Sequence, residues 1–118
     1  MKKNKNINLS IPIITGNELK YLKNCIDSGW LSTAGPLINK FEKNICKITK
    51  SKYAIACMNG TSALHISLLL AGVKPSNEVI VPTITFIAPV NAIKYCNAEP
   101  VFMDCDDQFN LDINKTIE

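Results

Sequence analysis

The residues of this chain best suited to bind a charged ligand are four polar residues in a row, Asn59-Gly60-Thr61-Ser62. They follow a short apolar run typical of a strand, Tyr53 to Cys57, and precede an apolar run of helical length. The sequence therefore places them at a helix N-terminus, where the first amides lack intrahelical acceptors and the helix dipole is positive. Gly60 permits close approach to the backbone, and Thr61 and Ser62 add hydroxyl donors, which predicts a phosphate site.

A plain helix cap is the alternative interpretation of the same four residues. Asn, Thr and Ser are common at helix N-caps, so the segment could begin a helix without binding any ligand. Short turn motifs of this kind often occur without a function. On this segment alone both interpretations stay open.

A second turn follows the next predicted strand. The strand Glu78 to Val81 ends at Pro82, and the turn Thr83 to Phe86 leads into a segment with helical spacing of apolar residues, Ile87 to Tyr95. In a parallel sheet with right-handed crossovers, ligands bind at the edge where the strands end. Phe86 could lay its ring over a planar cofactor there, with Thr85 beside it; packing in the core is the alternative.

The elements that must position these turns belong to an α/β fold with a largely parallel sheet. Amphipathic spacing predicts two helices near the N-terminus, over Asn17 to Asp27 and Leu37 to Thr49. Asp112 is a plausible N-cap for a last helix that begins at Ile113. We therefore expect a helical segment over about residues 1–50 and a β-α-β-α-β unit over residues 51–118.

Taken together, the motifs of the chain resemble the DegT/DnrJ/EryC1/StrS aminotransferases. The resemblance extends from about Ile11 to about Asp112, in order and with family-like spacing. The matching segments are Gly29 to Pro36 followed by Phe41-Glu42, then Asn59 to His65, Glu78 to Ala88, Asn91 to Ile93, and Ala98 to Asp104. The Ala63-Leu64-His65 run and Tyr95-Cys96 are most similar to members of legionaminic-acid or perosamine-type pathways.

This resemblance implies a pyridoxal 5'-phosphate (PLP) enzyme with the type I aminotransferase fold, of which this chain is the N-terminal part of the large domain. It assigns the cofactor phosphate to Gly60, Thr61 and Ser62, and the pyridine ring to Phe86, with Thr85 next to it.

The resemblance also implies a substrate region near the mouth of the active site, formed by the segment Trp30 to Pro36. The residues it assigns to the sugar substrate are Trp30, Ser32, Thr33 and Gly35.

The reaction that the resemblance implies is transfer of an amino group, usually from glutamate, to a nucleotide-linked 4-keto-6-deoxy sugar by a homodimer. Such products enter surface polysaccharides and glycosylated metabolites. Transamination needs a lysine that forms a Schiff base with the cofactor and an acidic partner for the pyridine nitrogen. The resemblance places both beyond Glu118, and none of the thirteen lysines of this chain lies at a family catalytic position. With 118 residues, the chain is expected to be one part of a protein about three times longer.

Two other interpretations remain. One is a family member that binds PLP but acts as a dehydratase or a regulator, which the identity of the later residue, Lys or His, would decide. The other is a phosphate-binding α/β module without cofactor chemistry. Against the latter, Asn59 to Ser62 has neither the dinucleotide fingerprint nor the Walker lysine.

Composition narrows the function further. The net charge of +3 comes from dispersed lysines and the basic run Met1 to Asn6. This positive charge is too small and too dispersed to indicate nucleic-acid binding. No apolar run suits a secretory signal or reaches the roughly 20 residues of a membrane span. Five cysteines without a Cys-x-x-Cys pair are typical of buried, reduced thiols, so we expect a cytoplasmic protein.

Two further groups are given no catalytic or metal role. Asp104, Asp106 and Asp107 cluster after a strand, but they lack a nearby His and the spacing of a calcium loop, so no metal is expected. The single histidine, His65, lies in an apolar helix without a second base or ligand and is expected to pack near the core.

Overall fold

The computed structural model describes residues 7, 8 and 10–117 of the chain. The basic run Met1 to Asn6 lies outside the described residues. The chain divides into two units, Met1–Ala54 and Ile55–Glu118. No helix among the described residues is long and apolar enough to span a lipid bilayer.

The first unit contains two helices, α1 at Glu18–Ser28 and α2 at Pro36–Thr49, as the amphipathic spacing predicts. Gly29 ends α1 in the left-handed conformation, with φ 73°, and its N–H donates to the Ile26 carbonyl. Pro36 occupies the first turn of α2, where a missing N–H costs nothing. Neither helix has a buried residue, so their apolar side chains are exposed or half-buried in this chain.

The second unit alternates helices and strands: α3 at Gly60–Leu70, β1 at Glu78–Pro82, α4 at Ile87–Tyr95, β2 at Glu99–Met103 and α5 at Ile113–Ile117. β1 and β2 are parallel and in register from Glu78 opposite Glu99 to Pro82 opposite Met103. α4 is the crossover between them, and α3 packs against α4. The predicted α/β class with a parallel sheet is confirmed.

The core of the second unit lies between β1 and the helices. Its fully buried residues are Val81, Ala92, Ile93, Cys96 and Ala98. Side chains from α3 and the loop after it, Leu68 and Val73, pack against this cluster together with Val79 and Val90. The cluster attaches β1, α3 and α4 to one another, so it sets where the turns at their ends lie.

The predicted first strand, Tyr53 to Cys57, is wrong: the sheet of the described residues contains β1 and β2 alone, and residues 53–57 form no strand. The apolar and aromatic composition of this segment suits a strand, but strand structure also requires a neighbouring backbone in register. The described part of the second unit therefore runs α-β-α-β-α rather than β-α-β-α-β.

The cysteines also differ in part from expectation. All five are free thiols, yet Cys96 alone is fully buried, while Cys25, Cys46, Cys57 and Cys105 are half-buried. Burial of the other four would require packing partners that the described residues do not supply, since many of their large apolar side chains are themselves exposed.

Candidate functional site

The helix cap at the first turn of α3 uses one of the predicted phosphate donors, the Ser62 amide. Asn59 is the N-cap, and its side-chain Oδ1 accepts a hydrogen bond of 2.9 Å from the Ser62 amide. The Ala63 amide donates to the Asn59 carbonyl at 3.1 Å. Within the described residues, no acceptor is recorded for the amides of Gly60 and Thr61. Of the three amides predicted to bind a phosphate, those of Gly60 and Thr61 therefore have no acceptor within the described residues, whereas that of Ser62 is bonded to the cap.

Thr61 and Ser62 are both half-buried, and their hydroxyl groups make no recorded hydrogen bond within the described part of the chain. Ser67, one to two turns further along α3, differs because its hydroxyl donates to the Ala63 carbonyl at 2.8 Å. The hydroxyls of the first turn are thus available to a ligand, whereas that of Ser67 satisfies its own helix.

Gly60 is required neither by backbone conformation nor by packing within the chain. Its φ does not lie in the left-handed region, and a Cβ built on it would meet no heavy atom of the described residues within 4 Å beyond its chain neighbours and its own helix turn. The backbone conformation at this position would therefore accept a side chain. The space next to the Gly60 Cα would accept an anion close to the backbone, and a side chain there would occupy that space.

The second predicted turn lies at the carboxyl end of β1. The Thr83 amide donates to the Met103 carbonyl of β2 at 2.9 Å, which ties this turn to the end of the neighbouring strand. Phe86 is the N-cap residue of α4, in an extended conformation, and its side chain is 83% exposed. Thr85 beside it is exposed as well. In this chain the Phe86 ring is available to a ligand and is not part of the core.

Topology brings these features to the same side of the sheet. Because β1 and β2 are parallel, the turns after Pro82 and Met103 leave the sheet at one edge. α4 begins there with Phe86 and runs back to the start of β2. α3 packs on α4, and its C-terminal end connects to the start of β1, at the edge where the strands begin. Its N-terminal turn is the other end of the helix, away from the edge where the strands begin.

The loop after β2 shows what the aspartates do. Asp106 Oδ1 accepts the amides of Gln108 and Asn110 at 2.9 and 2.8 Å, as in a tight turn. Asp104 accepts the Cys105 amide at 2.8 Å and pairs with the Lys115 ammonium of α5. Among the described residues, no group of three or more His, Cys, Asp or Glu side chains is placed to hold a metal.

The Asp104 and Lys115 pair shifts the protonation equilibria of both groups. The hydrogen bond from Lys115, aided by the Cys105 amide, lowers the pKa of the Asp104 carboxyl below its ordinary value. The same contact raises the pKa of the Lys115 ammonium. Sequence reasoning missed this pair, because two residues eleven positions apart in a loop and a helix share no local periodicity.

His65 is half-buried in α3, and its ring meets that of Tyr95 edge-on, with centroids 5.6 Å apart and planes at 67°. This contact joins α3 to the end of α4. The histidine thus packs against an aromatic ring of the neighbouring helix.

The predicted sugar-binding segment lies in the first unit. Trp30, Ser32 and Gly35 line one open groove of about 400 Å³ between the end of α1 and the start of α2; Thr33 is not among its lining residues. Gly35 has φ 151° and its Cβ position lies 3.3 Å from the Trp30 Cβ, so a larger residue would displace the half-exposed indole. Leu22 and Cys25 of α1 line the same groove.

The sequence and the fold of this chain are similar to those of known proteins. A model of the DegT/DnrJ/EryC1/StrS aminotransferase family matches residues 12–118. Among curated proteins, the GDP-perosamine synthase of Caulobacter vibrioides is 46% identical over 110 residues, covering 92% of this chain and 30% of that protein. The GDP-perosamine synthase of Escherichia coli O157:H7 is 47% identical over 97 residues, covering 82% and 27%.

Solved structures agree with the family match. A Streptococcus pneumoniae protein named as a sugar aminotransferase, in its PLP form, superposes with a TM-score of 0.83 at 32% identity, covering 95% of this chain and 29% of that one. A 3-amino-5-hydroxybenzoic acid synthase superposes with a TM-score of 0.79 at 31% identity, covering 91% and 28%. The chain thus spans under a third of the length of each of these proteins.

Proposed function

Since the chain belongs to the DegT/DnrJ/EryC1/StrS aminotransferase family, we propose that the protein containing it is a PLP-dependent sugar aminotransferase. The reaction would move an amino group from an amino acid, glutamate in the first instance, to the keto carbon of a nucleotide-linked 4-keto-6-deoxy sugar. Identity of 46–47% to two proteins named GDP-perosamine synthase favours GDP as the nucleotide. Surface-polysaccharide synthesis, a cytoplasmic location and a homodimer are part of this proposal.

The observation that carries the proposal is the first turn of α3. Asn59 caps the helix, so the amides of Gly60 and Thr61 and the hydroxyls of Thr61 and Ser62 remain for a phosphate. Apart from its chain neighbours and the backbone of its own helix turn, no described residue lies within 4 Å of the Gly60 Cβ position, which leaves room for the phosphate next to the backbone. The residues present therefore fit the cofactor phosphate in number, polarity and access.

Phe86 would hold the flat ring of the cofactor. Phe86 is 83% exposed at the edge where the parallel strands end, which is where ligands bind in such sheets. An aromatic face can stack on a planar ring. Thr85 would add a hydroxyl beside the ring. When bound, PLP supplies the electron sink that allows an amino group to leave one carbon and join another.

The first unit would contribute the sugar site. Trp30 offers a half-exposed indole, and Ser32 and Gly35 line the same groove, which gives an apolar wall with a hydroxyl and a close backbone approach. Thr33 would act from outside that groove. Binding of the sugar through these residues orients its keto carbon, which is their contribution to the reaction.

The test is made on the complete protein that contains this chain. Purified protein should show a visible absorbance band from bound PLP, lose it on addition of glutamate, and form 2-oxoglutarate and an amino sugar with a GDP-linked 4-keto-6-deoxy sugar. PLP binding with loss of water from the sugar but no amino transfer would instead favour the dehydratase alternative. Phosphate binding with no PLP band would favour the phosphate-binding module.

A further inference from the structure

A short hairpin follows β2 and is tied closed at its base. The Asp112 amide donates to the Asp104 carbonyl at 3.0 Å, and Cys105 pairs with Leu111 in an antiparallel bridge. The Lys115 ammonium binds the Asp104 carboxylate and lies 3.7 Å from Asp112 Oδ2. α5 is thereby held against the carboxyl end of β2.

The same strand end also holds the turn that carries Phe86. Thr83, three residues before Phe86, donates its amide to the Met103 carbonyl at 2.9 Å. Its hydroxyl lies 3.9 Å from the Cys105 Sγ. One continuous set of contacts therefore leads from α5 through Asp104 and Cys105 to Thr83 and the Phe86 turn.

We propose that Asp104 and Lys115 are positioning residues that hold the turn carrying Phe86 in the arrangement that receives the cofactor ring. The inference rests on the proposed function, because it assumes that Phe86 contacts PLP. Neither residue needs to touch the cofactor. Their action would pass through Cys105 and Thr83, whose contacts fix the start of the turn.

The ion pair is solvent-exposed, and such pairs contribute little to global stability. Its effect should appear elsewhere. A turn that is already restrained loses less conformational freedom when a ligand binds, so restraint improves affinity without adding a contact to the ligand. We therefore expect loss of the pair to weaken PLP binding more clearly than it lowers the melting temperature.

The chain contains a matched control at the other end of β2. Lys94 pairs with Glu99 at 2.6 Å, with side-chain exposures of 50% and 62%, against 54% and 60% for Lys115 and Asp104. This second pair lies at the edge where the strands begin, away from Phe86. The two ion pairs thus have the same chemistry and similar exposure. They differ in position, because Lys94 and Glu99 lie where the strands begin and Lys115 and Asp104 lie where they end.

The experiment measures the Kd of PLP for apo forms of the complete protein by absorbance titration. Lys115→Gln should weaken binding about two- to fivefold, Lys115→Arg should restore it, and Lys94→Gln should leave it unchanged. Asp104→Asn serves as a second variant that breaks the same pair. In a Phe86→Ala background, Lys115→Gln should have no further effect on the Kd, because the ring it positions is absent.

Equal Kd values for wild type, Lys115→Gln and Asp104→Asn would overturn the inference, as would an equal weakening by Lys94→Gln. Additive effects of Lys115→Gln and Phe86→Ala would also overturn it, since the pair would then act independently of the ring. Failure of the wild-type protein to bind PLP at all would instead refute the proposed function, and with it the premise of this inference.

Discussion

Replacement of the Thr61 hydroxyl distinguishes a phosphate site from a helix cap. In Thr61→Val a methyl group replaces the hydroxyl with little change of shape. The cap is supplied by Asn59, whose Oδ1 takes the Ser62 amide at 2.9 Å, so Thr61 has no cap bond to lose. A hydrogen bond to a charged phosphate contributes about 1.5–3 kcal/mol. At about 1.4 kcal/mol per decade, the Kd of PLP should rise about ten- to a hundredfold.

The assay is titration of PLP into apo forms of the complete protein, alongside thermal unfolding of the same apo forms. Apo Thr61→Val should melt within a degree or two of wild type, since a ΔΔG near zero moves the melting temperature little. Ser67→Ala is the matched control. It also removes a hydroxyl from α3, but one that donates to the Ala63 carbonyl, so the Kd of PLP should not change.

An unchanged Kd for Thr61→Val would refute this reasoning. A lower melting temperature combined with an unchanged Kd would further show that Thr61 supports the helix rather than the ligand. Equal weakening by Thr61→Val and Ser67→Ala would indicate a general disturbance of α3 and not the loss of a phosphate contact.

Three further outcomes are expected. Asn59→Ala should destabilise the apo protein by about 1 kcal/mol, read from denaturant unfolding, because the first turn loses its cap; an unchanged unfolding midpoint would contradict the capping role. Phe86→Ala in the complete protein should weaken PLP retention while Phe86→Trp is tolerated, and equal occupancy in both by absorbance would remove Phe86 from the cofactor site. The Asp104 carboxyl should titrate below its ordinary pKa of 3.8 by NMR, because its pairing with Lys115 favours the charged form. Its contribution to stability is then present above 3.8 and lost as the pH falls through the lowered value, and a midpoint at or above 3.8 would show that the pair does not persist in solution.

Prediction from the sequence succeeded where structure depends on neighbours along the chain. The helices α1, α2 and α4 follow from apolar residues at three- and four-residue steps, and Gly29 ends α1 because it adopts φ 73° without strain. The order of strand, helix and strand from Glu78 to Met103 follows from the same local patterns. Two parallel strands require a crossover connection, so α4, which joins β1 to β2, had to lie on one face of the sheet.

Contacts between distant segments could not be derived in this way. The run Tyr53 to Cys57 has the composition of a strand, yet the sheet of the described residues leaves it out, because pairing depends on a partner backbone. The contacts of Lys115 with Asp104, and of Thr83 with Met103 and Cys105, join residues eleven or more positions apart, for which no periodicity exists.

The sequence by itself determined the polar turn at Asn59 to Ser62, the aromatic residue after β1, and the family to which both belong. Tertiary structure decided which of their groups are bonded within the described residues and which are exposed. It assigned the cap to Asn59, so that the Thr61 hydroxyl and the amides of Gly60 and Thr61 remain for a ligand. It also left the Phe86 ring 83% exposed and not in the core. The physical reason is that residue type limits which hydrogen bonds and contacts a group can make, whereas the packing of helices and strands in space selects which of them are made.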